Sequence, residues 1–541
     1  MLAPSAGAHS VLIATEPSSD AVVPEAPDRV LLRWDEPVES ALGSIRVYDG
    51  EGRRVDAETI SRPSPEEVAV AIEDDLARGT YTVAWRVISA DSDPISGAFV
   101  FHVEAPGPQP SGIAAQVLED TPTLVSVFYT GGRFFDFALL LLCIGGVAAL
   151  AVTLRSGEPA LRRRLFGVIA VLAGFLAVVA LLGIVFQGAA AGGFGLSEAF
   201  RWDVVTSVAE TRYGKASLIR AGLAVAIALA ALALRHAHGA EQTRLTALAA
   251  ALAVGLAVTP SASGHASVSG ALGFTADVLH VLTAAIWTGG LAFVICGLAL
   301  AGNGRWPLAT RCVPAFSTMA VGSVALLLLA GTVNGYLQVR TWRGLWETTY
   351  GLLLLGKIGL VLPLLALGAY NNRYAVPRLR AGIASALERR RFLRAAGAEL
   401  AIMTAVVAVT AVLVNAEPAK TELLMHGSTE AVADMGGGIE CHVMVEPGAA
   451  GPNAIHLRFG GGSHEGGALE FAEVNVAATL ASKEVGPLRF KAKPDPDHHG
   501  EYVVQNAQLP LAGAWQLRIE ARRGEFDLLT QTVSISIREE S

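Results

Sequence analysis

Charge is what this chain is shortest of. Only 17% of its 541 residues are Asp, Glu, Lys or Arg, against about 25% in an ordinary soluble protein, while 52% are apolar. The shortage is local. Residues 1–132 hold 8 Lys/Arg against 21 Asp/Glu, residues 416–541 hold 10 against 18, and residues 133–415 hold 23 against 10. Two acidic flanks therefore enclose a basic, apolar block. Neither flank offers a basic face for phosphates, which excludes nucleic acid as a partner. Cysteine is also scarce. Of Cys143, Cys296, Cys312 and Cys441, no two share a flank, so no disulfide framework or four-cysteine zinc site can be drawn within one. ATP chemistry finds no support either. Gly351-Leu-Leu-Leu-Leu-Gly-Lys357 fits most of a phosphate-binding loop, but Ile358 stands where Ser or Thr is needed and the intervening residues are membrane leucines. There is no Asp-Lys-Thr-Gly run for an aspartyl phosphate.

Long apolar runs are plentiful. Crossing a bilayer as a helix takes about 20 apolar residues, and eight runs qualify: about 134–153, 165–187, 216–234, 245–262, 272–300, 313–336, 350–370 and 395–415. The first is read as uninterrupted from Phe134 to Thr153. Basic residues in short loops favour the cytoplasm. With residue 1 outside, fifteen Lys/Arg fall in inner loops and five (Arg201, Arg212, Lys215, Arg340, Arg343) in outer ones. That asymmetry places a multi-pass protein in the cytoplasmic (inner) membrane, the lipid bilayer its first partner, with both termini outside. Residues 1–8 lack a charged or apolar leader, yet Ala6-Gly7-Ala8 has the form of a signal-peptidase site. They read as a residual signal segment, after which His9 is the mature N-terminus.

Both flanks show short alternating runs separated by turns. In the first these are 30–34, 44–48, 68–72, 80–87 and 97–103; in the last they are 439–445, 454–459, 473–480, 500–504, 513–520 and 532–537. Each reads as a small antiparallel sandwich. The fold class is thus a multidomain membrane protein: an N-terminal all-β, Ig-like sandwich (9–105), a linker (106–132), an eight-helix transmembrane bundle (133–415) and a C-terminal all-β sandwich (416–541). His102 alternates with Phe101 and Val103 and is read as facing solvent.

Ionisable groups inside a span cost about 2.5–3.5 kcal/mol each and need an account. Asp277, His280 and Trp287, at spacings of three and seven, share one face of the fifth span. His280 lies about 14 Å along it. His265 sits just before it in Ser263-Gly-His-Ala266. On the plain structural reading, Asp277 and His280 hydrogen-bond neighbouring helices. Lys357 and Glu399 read as structural partners. Another reading makes His265 and His280 the axial ligands of one b-type haem in an electron carrier. Soft ligands in the spans are limited to Cys143, Cys296, Met319 and Met403.

Three stretches resemble known families. His9, Glu16-Pro17, Pro24, Trp34-Asp-Glu-Pro37, Gly79-Thr-Tyr-Thr-Val-Ala-Trp-Arg-Val87 and Ser89-Ala-Asp-Ser-Asp-Pro-Ile-Ser-Gly97 resemble the CopC family of periplasmic copper proteins. An N-terminal histidine offers an amine and an imidazole, and divalent copper favours such nitrogens with oxygen in a tetragonal plane. The resemblance implies a copper(II) site from His9 and Asp91, with Asp93 where the family places a second histidine. That departure implies a weaker or altered site. Asp91-Ser-Asp-Pro94 equally reads as a plain turn.

Gly264-His-Ala266, Asp277-x-x-His280, Trp287-x-Gly-Gly290, Phe316-Ser317, Tyr350-Gly351 with Lys357, Asn372-Arg373 and Glu399 resemble the CopD family of copper-resistance membrane proteins. Gly513-Ala-Trp-Gln-Leu517 after a Gly-x-Tyr strand resembles YtkA-like domains. A CopC–CopD fusion implies copper binding outside the membrane and copper transport across it past His265, Asp277, His280 and Trp287, with import favoured, in copper homeostasis or resistance. It implies copper ions and periplasmic or extracellular copper proteins as partners, no ATP and no catalysis. A copper buffer or sensor anchored by its spans is the further alternative. In the last flank Met425, His426, Met435, Cys441, His442, Met444, His456, His464, His498 and His499 are candidate ligands. On a strand Glu440, His442 and Met444 share one face and Cys441 takes the other, so that flank reads as an accessory metal domain or a plain interaction domain.

Overall fold

The computed structural model describes residues 12–17, 21–34, 37–39, 45–73, 76–89, 94–105, 107, 123–154, 158–192, 195–267, 269–416, 419, 429–436, 439–446, 448, 451–460, 471–480, 483, 485–495, 500–511, 513–524 and 527–538. In the N-terminal domain, strands β1 (Leu12–Glu16), β3 (Arg29–Trp34), β6 (Glu67–Ile72) and β5 (Asp56–Ser61) form one sheet in that order. Strands β2 (Val22–Val23), β8 (Pro94–Val103), β7 (Gly79–Ile88) and β4 (Ile45–Tyr48) form the other. In β3, Val30, Leu32 and Trp34 point into the sandwich while Arg29 and Arg33 point out. Trp34 meets Trp85 edge to face at 5.7 Å between centroids. Gly97 is required above that pair: a Cβ there would lie 2.5 Å from the Trp85 ring. The pairing is antiparallel except that β2 runs parallel to β8.

His102 departs from the solvent-facing expectation. It is 8% exposed, and its Nδ1 lies 2.9 Å from Thr80 Oγ1. Period-two alternation does put it outside the sandwich. Gly107, beyond β8, exchanges two hydrogen bonds with the same Thr80 hydroxyl that meets the imidazole.

Eight long apolar helices follow: α1 (Thr123–Ala148, continued by a π turn to Thr153), α2 (Pro159–Gly192), α3 (Arg212–Leu234), α4 (Gly239–Ser261), α5 (Gly270–Leu300), α6 (Arg305–Val339), α7 (Thr349–Tyr370) and α8 (Ala386–Leu413). Their starts are capped as helix chemistry requires. Thr211 and Thr348 accept from Gly214 and Gly351, and Ser385 with Glu388 forms a capping box. Helices α1 and α5 cross in backbone contact. A Cβ on Gly145 would fall 2.3 Å from the Ala285 carbonyl oxygen, and one on Gly289 would fall 2.0 Å from that of Leu141. Small residues at such crossings let helices approach where lipid supplies no hydrophobic drive.

The first span is not uninterrupted. Asp136 sits in α1, 8% exposed, and its carboxylate accepts from the Arg220 guanidinium of α3.

The C-terminal domain is described by itself. Strands β9 (Thr429–Gly436), β10 (Ile439–Glu446), β11 (Gly451–Gly460), β12 (Glu473–Leu480), β13 (Val485–Pro494), β14 (Glu501–Leu509), β15 (Gly513–Arg523) and β16 (Asp527–Ile537) form one sheet ordered β16-β15-β12-β13-β14-β11-β10-β9. Strand β13 turns the corner: most of it pairs with β12, and only Lys493 and Pro494 pair with β14. Its ends meet, since Gln531 Nε2 on β16 donates to the Asp434 carbonyl on β9 at 3.0 Å. The sheet thus curls into a barrel-like all-β domain around Trp515, which is fully buried with its indole N–H on the Leu511 carbonyl at 2.8 Å. All four cysteines are free thiols.

Candidate functional site

The helical spacing on α5 carries through to geometry. Asp277 faces α4 and α6 at once: Ser261 Oγ donates to it at 2.7 Å and Asn334 Nδ2 at 3.1 Å. Its charge is felt by Tyr350 and Lys357 of α7. One turn further along α5, His280 lies within electrostatic reach of the same Lys357. Its ring rests against α6 at Gly331, where a Cβ would come 3.1 Å from Cε1 and 3.2 Å from Nδ1. Glycine there leaves room for the imidazole. His280 Nδ1 is buried with no hydrogen-bond partner among the described residues. An unpaired buried nitrogen costs about 1–3 kcal/mol, so it is a position where a ligand is favoured.

Trp287 is placed otherwise. At 6% exposed it belongs to the apolar core with Leu291, Phe293 and Phe316, two turns beyond His280 in sequence. Gly290 beside it is tight against Phe316, 2.9 Å from where a Cβ would stand. Further along the bundle, Glu399 is 5% exposed and accepts from Asn371 Nδ2 at 2.5 Å, and Asn372 Nδ2 donates to Ser317 Oγ at 2.8 Å. Glu399 is thus held by Asn371, while Lys357 lies within electrostatic reach of Asp277 and His280.

His265 opens a short 3-10 turn, His265–Ser267, between α4 and α5; only its backbone is described. The adjoining Ser267 Oγ accepts from Arg212 Nη1 at 3.1 Å. The Arg212 backbone N–H in turn donates to the Glu39 carboxylate of the N-terminal domain, at 2.8 and 3.1 Å to its two oxygens. Burial pushes the Glu39 carboxyl above its usual range, against the pull of Arg212. A chain of contacts therefore runs from the sandwich through the first turn of α3 to the His265 turn. His9, Asp91 and Asp93 lie outside the described residues, as do Met425, His426, His464, His498 and His499. Among the described residues, no three His, Cys, Asp or Glu side chains converge to hold a metal ion.

A second polar network went unread in the sequence. Arg220 Nε donates to Thr259 Oγ1 at 2.9 Å while the same guanidinium grips Asp136. Thr259 and Ser261 both belong to the last turn of α4. That turn joins the Asp136–Arg220 pair on one side to Asp277 and Asn334 on the other. The available signal was a charge of each sign inside two different apolar runs. Ser261 and Asn334 carry no charge and gave none.

Family models match three segments: the CopC domain at residues 12–104, the "Copper resistance protein D-like, N-terminal domain" at 123–274 and "Copper resistance protein D" at 310–413. Copper transport protein CutJ of Bacillus subtilis (strain 168) is 28% identical over 539 residues, 96% of this chain and 94% of the relative. Protein YobA of Escherichia coli (strain K12) is 28% identical over 106 residues, 19% of this chain and 86% of its own length. Copper resistance protein C of Escherichia coli is 29% identical over 108 residues, 18% and 85% respectively. Among solved structures, CopC from Methylosinus trichosporium OB3b aligns at 31% identity and a TM-score of 0.16, covering 18% of this chain and 95% of that one.

Proposed function

We propose that this chain, which joins a CopC domain and CopD-type membrane domains in one polypeptide, binds copper outside the cytoplasmic membrane and carries it inward through its helix bundle. The orientation follows from the arginine-rich inner loops, which leave both acidic domains outside. Copper(II) is taken up by His9, Asp91 and Asp93, then passes the His265 turn to Asp277 and His280. The observation that carries the reading is the buried, unpartnered Nδ1 of His280 one turn from a carboxylate fixed by Ser261 and Asn334. Imidazole nitrogen and carboxylate oxygen are donors that copper accepts. In an apolar bundle a lone carboxylate is costly. Lys357 supplies the counter-charge while the site is empty, and the metal takes over that role on arrival. Trp287 and the apolar side chains around it close the route beyond His280 until the helices shift. Nothing here requires catalysis.

The test is copper uptake into vesicles reconstituted with the full chain. His280→Ala and Asp277→Asn are expected to lower uptake at least tenfold while the N-terminal domain keeps its copper. Unchanged uptake in both variants would overturn the route. A Soret band in the purified protein, lost in His280→Ala, would favour a haem carrier instead.

A further inference from the structure

The C-terminal domain holds a soft ligand that the Asp277–His280 cluster lacks. Along β10, Cys441, Val443 and Val445 are buried while Glu440, His442, Met444 and Glu446 alternate onto the outer face. Strand β11 pairs antiparallel to it, and the register sets Met444 directly opposite His456 and His442 opposite Arg458. Directly opposed residues have Cβ atoms about 4.5–5.5 Å apart and diagonal neighbours stand about 7–8 Å apart, within reach of long side chains. One thioether and two imidazoles therefore share a small area of one sheet face.

His456 is also oriented. Its Nδ1 lies 2.9 Å from Glu501 Oε1, and the other Glu501 oxygen accepts from Arg458 Nη2 at 3.1 Å. Glu501 is 7% exposed, so this bond is held inside the sheet surface rather than in open solvent. A carboxylate on one ring nitrogen fixes the tautomer and leaves the other, Nε2, as a lone-pair donor of raised basicity, the arrangement that supports metal-binding histidines. Cys441 is excluded, because it is fully buried on the opposite face and burial pushes its thiol up to about 12. Among the described residues, no three His, Cys, Asp or Glu side chains converge to hold a metal ion. A thioether with imidazoles suits monovalent copper.

We propose that Met444, His456 and His442 form a copper(I) site on the outer face of the C-terminal sheet, with Glu501 positioning His456. The site is independent of the helix route. It gives the protein a binding position for reduced copper in the domain that follows the CopC and CopD segments.

The experiment uses the full chain in detergent under anaerobic conditions. Copper(I) held against a competing chelator is counted, and the copper absorption edge is read for a sulfur shell. Met444→Leu, which keeps volume and apolar character, is expected to lose one equivalent and the sulfur shell while melting at the wild-type temperature. His442→Asn is expected to weaken the same equivalent. Glu501→Gln should retain the equivalent with 10- to 100-fold lower affinity, a change that a purely structural role would not produce. His280→Ala should leave this equivalent in place, which separates it from the bundle. Full stoichiometry with an unchanged sulfur shell in Met444→Leu would overturn the proposal, as would loss of the sulfur shell in Cys441→Ser.

Discussion

Gly289→Ala puts one methyl group where α1 and α5 touch. The new Cβ would stand 2.0 Å from the Leu141 carbonyl oxygen, 2.8 Å from its carbon and 3.0 Å from Gly145 Cα. Carbon contacts are optimal at about 3.5–4.0 Å, so the helices must part by more than about 1 Å. All three obstructing atoms are backbone, and none can rotate aside. Overpacking of this kind costs about 1–3 kcal/mol, and a backbone obstruction places the cost at the upper end. Thermal unfolding of the full chain in detergent reads it directly. Gly222→Ala, where no atom lies within 4 Å of the added Cβ, is the control and is expected to melt at or slightly above the wild-type temperature because alanine favours helix. Gly289→Ala should melt several degrees lower. Asp277 and His280 ride on the same helix, about 18 and 14 Å from residue 289, so copper uptake is expected to fall as well. If Gly289→Ala melts with Gly222→Ala, the two helices do not cross in backbone contact.

Two further outcomes follow from buried charge. Arg220→Met leaves Asp136 inside the bundle without its partner, a change worth about 3–5 kcal/mol, whereas Asp136→Leu with Arg220→Met removes both charges and should recover most of the loss. Equal melting of the single and double variants would show that the pair carries no coupling. In the N-terminal domain Asp49 closes the turn after β4, accepting from the Glu51 and Arg53 N–H groups at 2.9 Å each. Burial opposes its charge, but these bonds and the Arg53 guanidinium hold its carboxyl below the ordinary value of 3.8. Its folded pKa is depressed, so its stabilisation is present above pH 3.8 and is lost as pH falls through the folded value. Asp49→Asn should lower the domain's resistance to proteolysis at pH 6 and narrow the wild-type advantage towards pH 3; a constant difference across that range would refute the assignment.

Strands such as β12 and β10 were legible because every second residue is buried, and the α5 face was legible because Asp277 and His280 interrupt an apolar run at helical spacing. Strand β13 was not, since Val485–Pro494 carries two prolines and three basic residues while it turns the corner of the sheet. Nor was β9, where Thr429–Gly436 lies at the edge of the sheet. His102 misled because alternation reports which side of a sheet a residue takes, not how buried that side is. Asp136 and Arg220 were overlooked for a related reason. Each lies near the end of an apolar run and passes for a flank, and only packing brings residues 84 positions apart into one ion pair. Ser261 and Asn334 acquire meaning solely from the carboxylate they share.

On the proposed copper route, the contact from Glu39 through Arg212 to Ser267 would set the kinetics of handover. A binding domain on a loose tether must find the membrane by diffusion, and a separate carrier must also be at sufficient concentration. A sandwich seated on the first turn of α3 holds its cargo at a fixed effective concentration beside the entrance, as linked modules do. On the proposed route, transfer would then be a first-order step whose rate per molecule survives dilution.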